Sequence, residues 1–192
     1  LYLGRFDEAS GIAGFADAPE TPPLLLLELY REIAKYGKKI DSGTRVRAAE
    51  LGLANEDPEW TSELMRGLER VELEPLDRAQ LLGVKAGWLK DVRQEKALSE
   101  IYKTCREGLR LMPRVRTPEW KEQEAKLLYN RIKAKLFLEH RPWFEVKEDF
   151  THLRALEGGT PVFADSLCTL VEHELRESDP DWSRIDRLVQ EA

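Results

Sequence analysis

The sequence predicts an all-α fold, a solenoid of antiparallel helix pairs. Three observations predict it. Apolar residues recur at the 3.6-residue period of a helix through most of the 192 residues, and the two-residue alternation of a strand appears nowhere in them. Successive helical stretches are joined by short charged or proline-bearing turns. No pair could bury both its faces alone, so each is expected to stack on its neighbours.

Residues 1–16 read as a partial repeat, and DAPETPP at 17–23 as a proline-rich turn. A helix follows over 24–40, with Leu26, Leu29, Tyr30, Ile33, Ala34 and Tyr36 on one face; it is extra to the pairs. The first full pair spans 44–72: Ala48, Leu51 and Ala54 face inward, then Leu64, Leu68 and Val71. Asp57 is a good N-cap for its second helix and Pro58 a good first residue. The pair over 75–112 has stripes Ala79, Leu82, Ala86, Leu89 and Ala97, Ile101, Cys105, Leu109. The pair over 117–157 joins a long helix at 120–138 (Ala125, Leu128, Tyr129, Ile132, Leu136) to one at 143–156 (Val146, Phe150, Leu153). The last pair, 160–192, offers Ala164, Leu167, Cys168, Val171 and Leu175, then Ile185, Leu188 and Val189. DPEW at 57–60, TPEW at 117–120 and DPDW at 179–182 each set a cap residue, a proline and a tryptophan at a helix start. They read as a degenerate internal repeat whose tryptophans anchor the core. Leu1 begins inside a pattern, so the chain is expected to be a fragment of a longer one.

LGRFDEA at 3–9 resembles the inter-helix turn of a tetratricopeptide repeat. Gly4 ends a helix there, Phe6 covers the turn and Ala9 sits where the helices touch. The intervals from Trp88 to Ala97, Ile101 and Thr104 are similar to those of the same family. Phe137, Val146, Phe150 and Leu153 repeat them, with Val146 in place of a small residue. The resemblance implies a right-handed superhelix of single-domain extent. It also implies a concave face, lined by the first helix of each pair, that binds a peptide or a partner helix.

Formal net charge is −6, which argues against a dedicated nucleic-acid binder. The longest apolar run, at 24–27, is far short of the ~20 residues that span a bilayer. Cys105 and Cys168 are read as free, small core residues, suited to the cytoplasm or another reducing compartment. Neither lies in a zinc-ligand spacing, and no cofactor is implied. There is no P-loop, no G-x-G-x-x-G and no G-x-S-x-G. Asp149 and His152 could form a carboxylate–imidazole pair, but one-face spacing on a helix is more simply a surface pair. A non-catalytic role is therefore expected.

Charge is uneven along the chain. Residues 103–141 hold eleven Lys or Arg against five Glu, whereas 144–192 hold five basic and twelve acidic residues. The basic segment predicts a groove for an acidic peptide, with Tyr129, Asn130, Arg131, Lys133 and Lys135 as the contact residues. Two other roles compete: a ligand-sensing or regulatory module of a larger signalling protein, and a homotypic assembly module whose exposed repeat ends give a homodimer.

Overall fold

A computed structural model describes residues 28, 31–32, 41–55, 57–156, 161–176 and 180–191. The heptamer at 3–9, the proline-rich turn at 17–23, most of the helix expected over 24–40 and the glycine pair at 158–159 lie outside them. The described residues are mostly helical and contain no strand. The α-helices are α1 (Ser42–Ala54), α2 (Pro58–Leu68), α3 (Pro75–Trp88), α4 (Leu98–Arg110), α5 (Pro118–Lys133), α6 (Lys147–Leu156), α7 (Pro161–Arg176) and α8 (Trp182–Glu191).

Local chemistry sets the starts. The Asp41 carboxylate accepts the Thr44 N–H at 2.8 Å, so α1 begins earlier than its apolar stripe does. Asp57 accepts the Trp60 N–H at 3.1 Å, with Pro58 in the first turn. Asp181 caps α8 through the Arg184 N–H at 3.1 Å. The three tryptophan motifs are therefore not equivalent. DPEW and DPDW start even-numbered helices and TPEW starts an odd-numbered one; Trp60 and Trp120 are half-buried, while Trp182 is 63% exposed. They share composition rather than a repeat position, since Asp57 and Asp181 accept a helix N–H and Thr117 makes no side-chain cap hydrogen bond.

Each helix packs on the next, and each odd-numbered helix also packs on the next odd-numbered one. Contacts give the directions. Gly52 lies against Trp60 and Thr61, and Gly67 against Arg45, so α1 and α2 are antiparallel. Lys85 meets Glu100 and Arg78 meets Glu107, so α3 and α4 are antiparallel too. Between odd-numbered helices the order rises together: Gln80 reaches Glu50 and Gly87 approaches Leu53, while Tyr129 meets Thr169 and Phe137 meets His173. Thus α1, α3, α5 and α7 form a parallel row.

The core is divided along that row. Val46, Ala49, Leu64, Leu68, Leu81 and Val84 join α1, α2 and α3. Ala86, Leu89, Ala97, Ile101, Cys105 and Ala134 join α3, α4 and α5. Leu128, Ile132, Leu136, Phe150, Leu167 and Leu188 join α5 to α8. Five stripe positions depart from expectation, the first being Ala54 at the end of α1, which is exposed. Val71, Leu175 and Val189 are exposed, at 41%, 51% and 59%. Cys168 is exposed as well, because the buried face of α7 runs through Ser166, Leu167, Thr169, Leu170, His173 and Glu174. That face meets α5 and α8, and it turns Cys168 outward.

Both central odd-numbered helices end alike. α3 widens into a π-helical turn at Leu89–Arg93, and α5 into one at Ala134–Leu138. A non-glycine residue of positive φ follows, Gln94 and His140, both at 51°. A 3-10 turn then leads to the next helix, at Gln94–Ala97 and Trp143–Glu145. The two copies lie about 45 residues apart, longer than the ~34 residues of a tetratricopeptide unit.

Two substitutions test this packing. A Cβ at Gly108 would lie 2.6 Å from Leu127, a fully buried residue. Gly108→Ala should therefore lose about 1 kcal/mol in urea denaturation, although alanine is worth about 1 kcal/mol more than glycine in an open helix. Gln94→Gly should gain about 1 kcal/mol, because its φ of 51° with ψ of −134° suits only glycine.

Candidate functional site

The row of odd-numbered helices carries two polar centres. The first is Glu50 on α1. Its carboxylate accepts from Arg47 Nη1 at 2.7 Å and from Gln80 Nε2 on α3 at 2.8 Å. Lys126 of α5 also reaches it, although α3 lies between the two helices, and pairs with Glu122 one turn back on its own helix. The Glu50 side chain is only 16% exposed. Burial raises its pKa, but Lys126 and Arg47 outweigh burial and hold it below the ordinary glutamate range. Burial likewise works against the Lys126 charge, and Glu50 and Glu122 overcome it.

The second centre lies where the π-helical turn after α3 meets α5. Lys90 Nζ donates to Asn130 Oδ1 at 3.3 Å and sits 3.3 Å from an Asp91 carboxylate that is itself half-exposed. The same nitrogen is 5.9 Å from the centre of the Tyr129 ring, and Lys133 Nζ is 5.1 Å from that ring. Tyr129 continues to α7, its hydroxyl 3.3 Å from Thr169 Oγ1. Among the described residues no carboxylate pairs with Lys133. The Lys90 side chain is 14% exposed. Burial pushes its pKa below the ordinary lysine range; Asp91 opposes this and Lys133 adds to it. This corner thus holds two ammonium groups with less than their full complement of negative charge.

The five residues expected to contact a partner divide between two faces. Tyr129, Asn130 and Lys133 belong to the corner. Asn130 is 8% exposed and braces it, donating from Nδ2 to the Gly83 carbonyl at 3.2 Å. Arg131 and Lys135 turn toward α6 instead. Arg131 holds Asp149 in a two-bond clasp, with Nε to Oδ2 at 2.9 Å, and Lys135 reaches the same carboxylate at 3.2 Å. Asp149 is 8% exposed, so this is a buried lock between α5 and α6. His152 does not pair with Asp149; its Nε2 lies 3.1 Å from the buried Glu124. Sequence reasoning missed Glu50, Lys126 and Lys90. Residue 90 falls between the two apolar stripes of its helix pair, and it is 40 positions from its partner Asn130.

Among the described residues no cluster of three or more His, Cys, Asp or Glu is arranged to hold a metal ion, and no helix is long and apolar enough to cross a membrane. Cys105 is fully buried, and burial pushes its thiol up to about 12.

Each centre makes a prediction about pH. Glu50 has a folded pKa below its ordinary 4.5, so its contribution is present above about pH 4.5 and lost as pH falls through the folded value. Glu50→Gln should cost about 2 kcal/mol at pH 7 and flatten the acid limb of stability against pH. Lys90 is the opposite case: its folded pKa lies below 10.5, so its charge costs stability until pH rises toward that value. Lys90→Met should raise stability by about 1 kcal/mol at pH 7, with the gain fading toward pH 10.5.

No family model matches this chain, and neither the curated proteins nor the solved structures contain a match to it.

Proposed function

We propose that the protein is a non-catalytic helical-repeat scaffold that holds an acidic segment of a partner protein along the row of α1, α3, α5 and α7. In this reading the pairs stack as a right-handed solenoid resembling tetratricopeptide arrays, and the row is its concave side. One observation carries the reading: among the described residues no carboxylate pairs with Lys133, which stands beside a nearly buried Lys90, and both lie over Tyr129 on that row. An acidic side chain placed there neutralises charge that the fold leaves standing, and the cost of burying Lys90 has already been met in folding. The Glu50–Lys126 bridge fixes the spacing of three helices of the row, so the face is pre-organised before a partner arrives.

A second reading rests on the last helix pair. Leu175, Trp182 and Val189 are exposed at 51%, 63% and 59%, and their apolar surface could stack against a second copy. Size-exclusion chromatography with light scattering over a range of concentrations separates the two readings. The scaffold reading predicts a monomer at every concentration, and assembly predicts a mass that grows.

The acidic-partner reading is tested by fluorescence anisotropy with a labelled glutamate-rich peptide. Lys133→Glu should weaken binding about tenfold without lowering the melting temperature, since it removes the like charge beside Lys90, and raised salt should weaken the native protein's binding in the same direction. Arg131→Glu should instead lower the melting temperature, since it leaves Asp149 buried beside a like charge. Unchanged affinity in Lys133→Glu would sink the proposal.

A further inference from the structure

On α3, Gln80, Gly83, Gly87 and the following Lys90 lie along one stripe, while Arg78, Leu82 and Lys85 lie on the opposite side at about 100° per residue. That second side opens into a cleft of about 160 Å³ between the end of α2, the chain at Val71 and Leu73, and the facing surface of α4. Its floor is apolar and close-packed: Leu68 is fully buried, and Met65 and Leu81 are 6% and 7% exposed. Val71, 41% exposed, forms an apolar wall with no partner in the core. The rim is charged but already neutralised. Lys85 Nζ lies 2.9 Å from Glu69 and 3.6 Å from Glu100, and Arg78 pairs with Glu107 at 2.9 Å.

We propose that this cleft is a second binding site, for an uncharged small molecule carrying a single aromatic ring. Volume sets an upper size: an enclosed apolar cavity of ~150 Å³ accommodates one benzene ring, and this cleft, of about 160 Å³ and open on one side, takes nothing larger. The rim sets the charge. Every ionic group around the opening has its opposite at hand, so the rim offers a charged ligand no unpaired counter-charge. Met65 supplies an unbranched, polarizable side chain that adjusts to a ring edge. The rim ion pairs tie α2 to α3 and α3 to α4, so a ring seated among them touches three helices at once.

The probe is benzyl alcohol, followed by amide chemical shifts of the whole protein, with benzoate and benzylamine as charged analogues of the same ring. The expected result is a saturable shift confined to the amides around 65–73 and 78–85. The charged analogues should bind about tenfold more weakly. Leu82→Trp fills the floor of the cleft and should abolish the shift. Val71→Asp, a change at an exposed position that leaves the core intact, should weaken it. The site is overturned if shifts scatter over the chain or do not saturate, if benzoate or benzylamine binds as well as the alcohol, or if Val71→Asp binds like the native protein.

Discussion

How closely α3 lets its neighbours approach governs the face on which function is proposed. Helix α3 lies between α1 and α5, and it presents glycine where they come in. A Cβ at Gly87 would meet Leu53 of α1 at 2.8 Å and lie 3.7 Å from Asn130 of α5. Gly83 offers its carbonyl to the same asparagine. With glycine at 83 and 87 on that stripe, α1 and α5 come near enough for Lys126 to reach Glu50 past an intervening helix. The bridge and the lysine corner both follow from this thin place in α3. A glycine in a helix interior costs helical propensity, and here the return is a polar contact spanning three helices.

Much of the fold was legible because helix starts and buried stripes are local. Asp57 and Pro58 announce α2, and Ala125, Leu128, Ile132 and Leu136 give the inner face of α5. The failures share a cause. Apolarity predicts burial only while another element is present to cover it, and Val71, Leu175, Trp182 and Val189 lie where the described residues provide none. In α7 the outcome was set by polar groups. Thr169 meets Tyr129, His173 meets Phe137, and Glu174 pairs with Arg184, so the helix turns a mixed face inward and its cysteine outward.

The site was half legible for a related reason. Counting basic residues finds a charged segment but not the direction in which each points. Residues 131 and 135 fall on the turn-spaced stripe that meets Asp149, and residues 126, 129 and 133 fall on the stripe facing the row. Lys90 and Glu50 left no signal, since each acquires its meaning from a residue on another helix, 40 and 76 positions away. The shared ending of α3 and α5 was hidden too. LKDVRQ and AKLFLEH share little beyond a lysine at the second place, so the likeness lives in the backbone path more than in its side chains.

The two cysteines differ in one respect that the fold alone creates. Cys168 stands on the outer surface of α7, while Cys105 has no exposed surface and a thiol that burial holds protonated. A thiol reagent therefore meets two clocks in one molecule. The outer sulfur is reached in the folded state; the inner one is reached only when the middle section of the core, between α3, α4 and α5, has come apart. The unaltered chain thus contains its own reporter of opening: the second equivalent of label records how often the centre of the array yields, while the first marks the last helix pair without disturbing it.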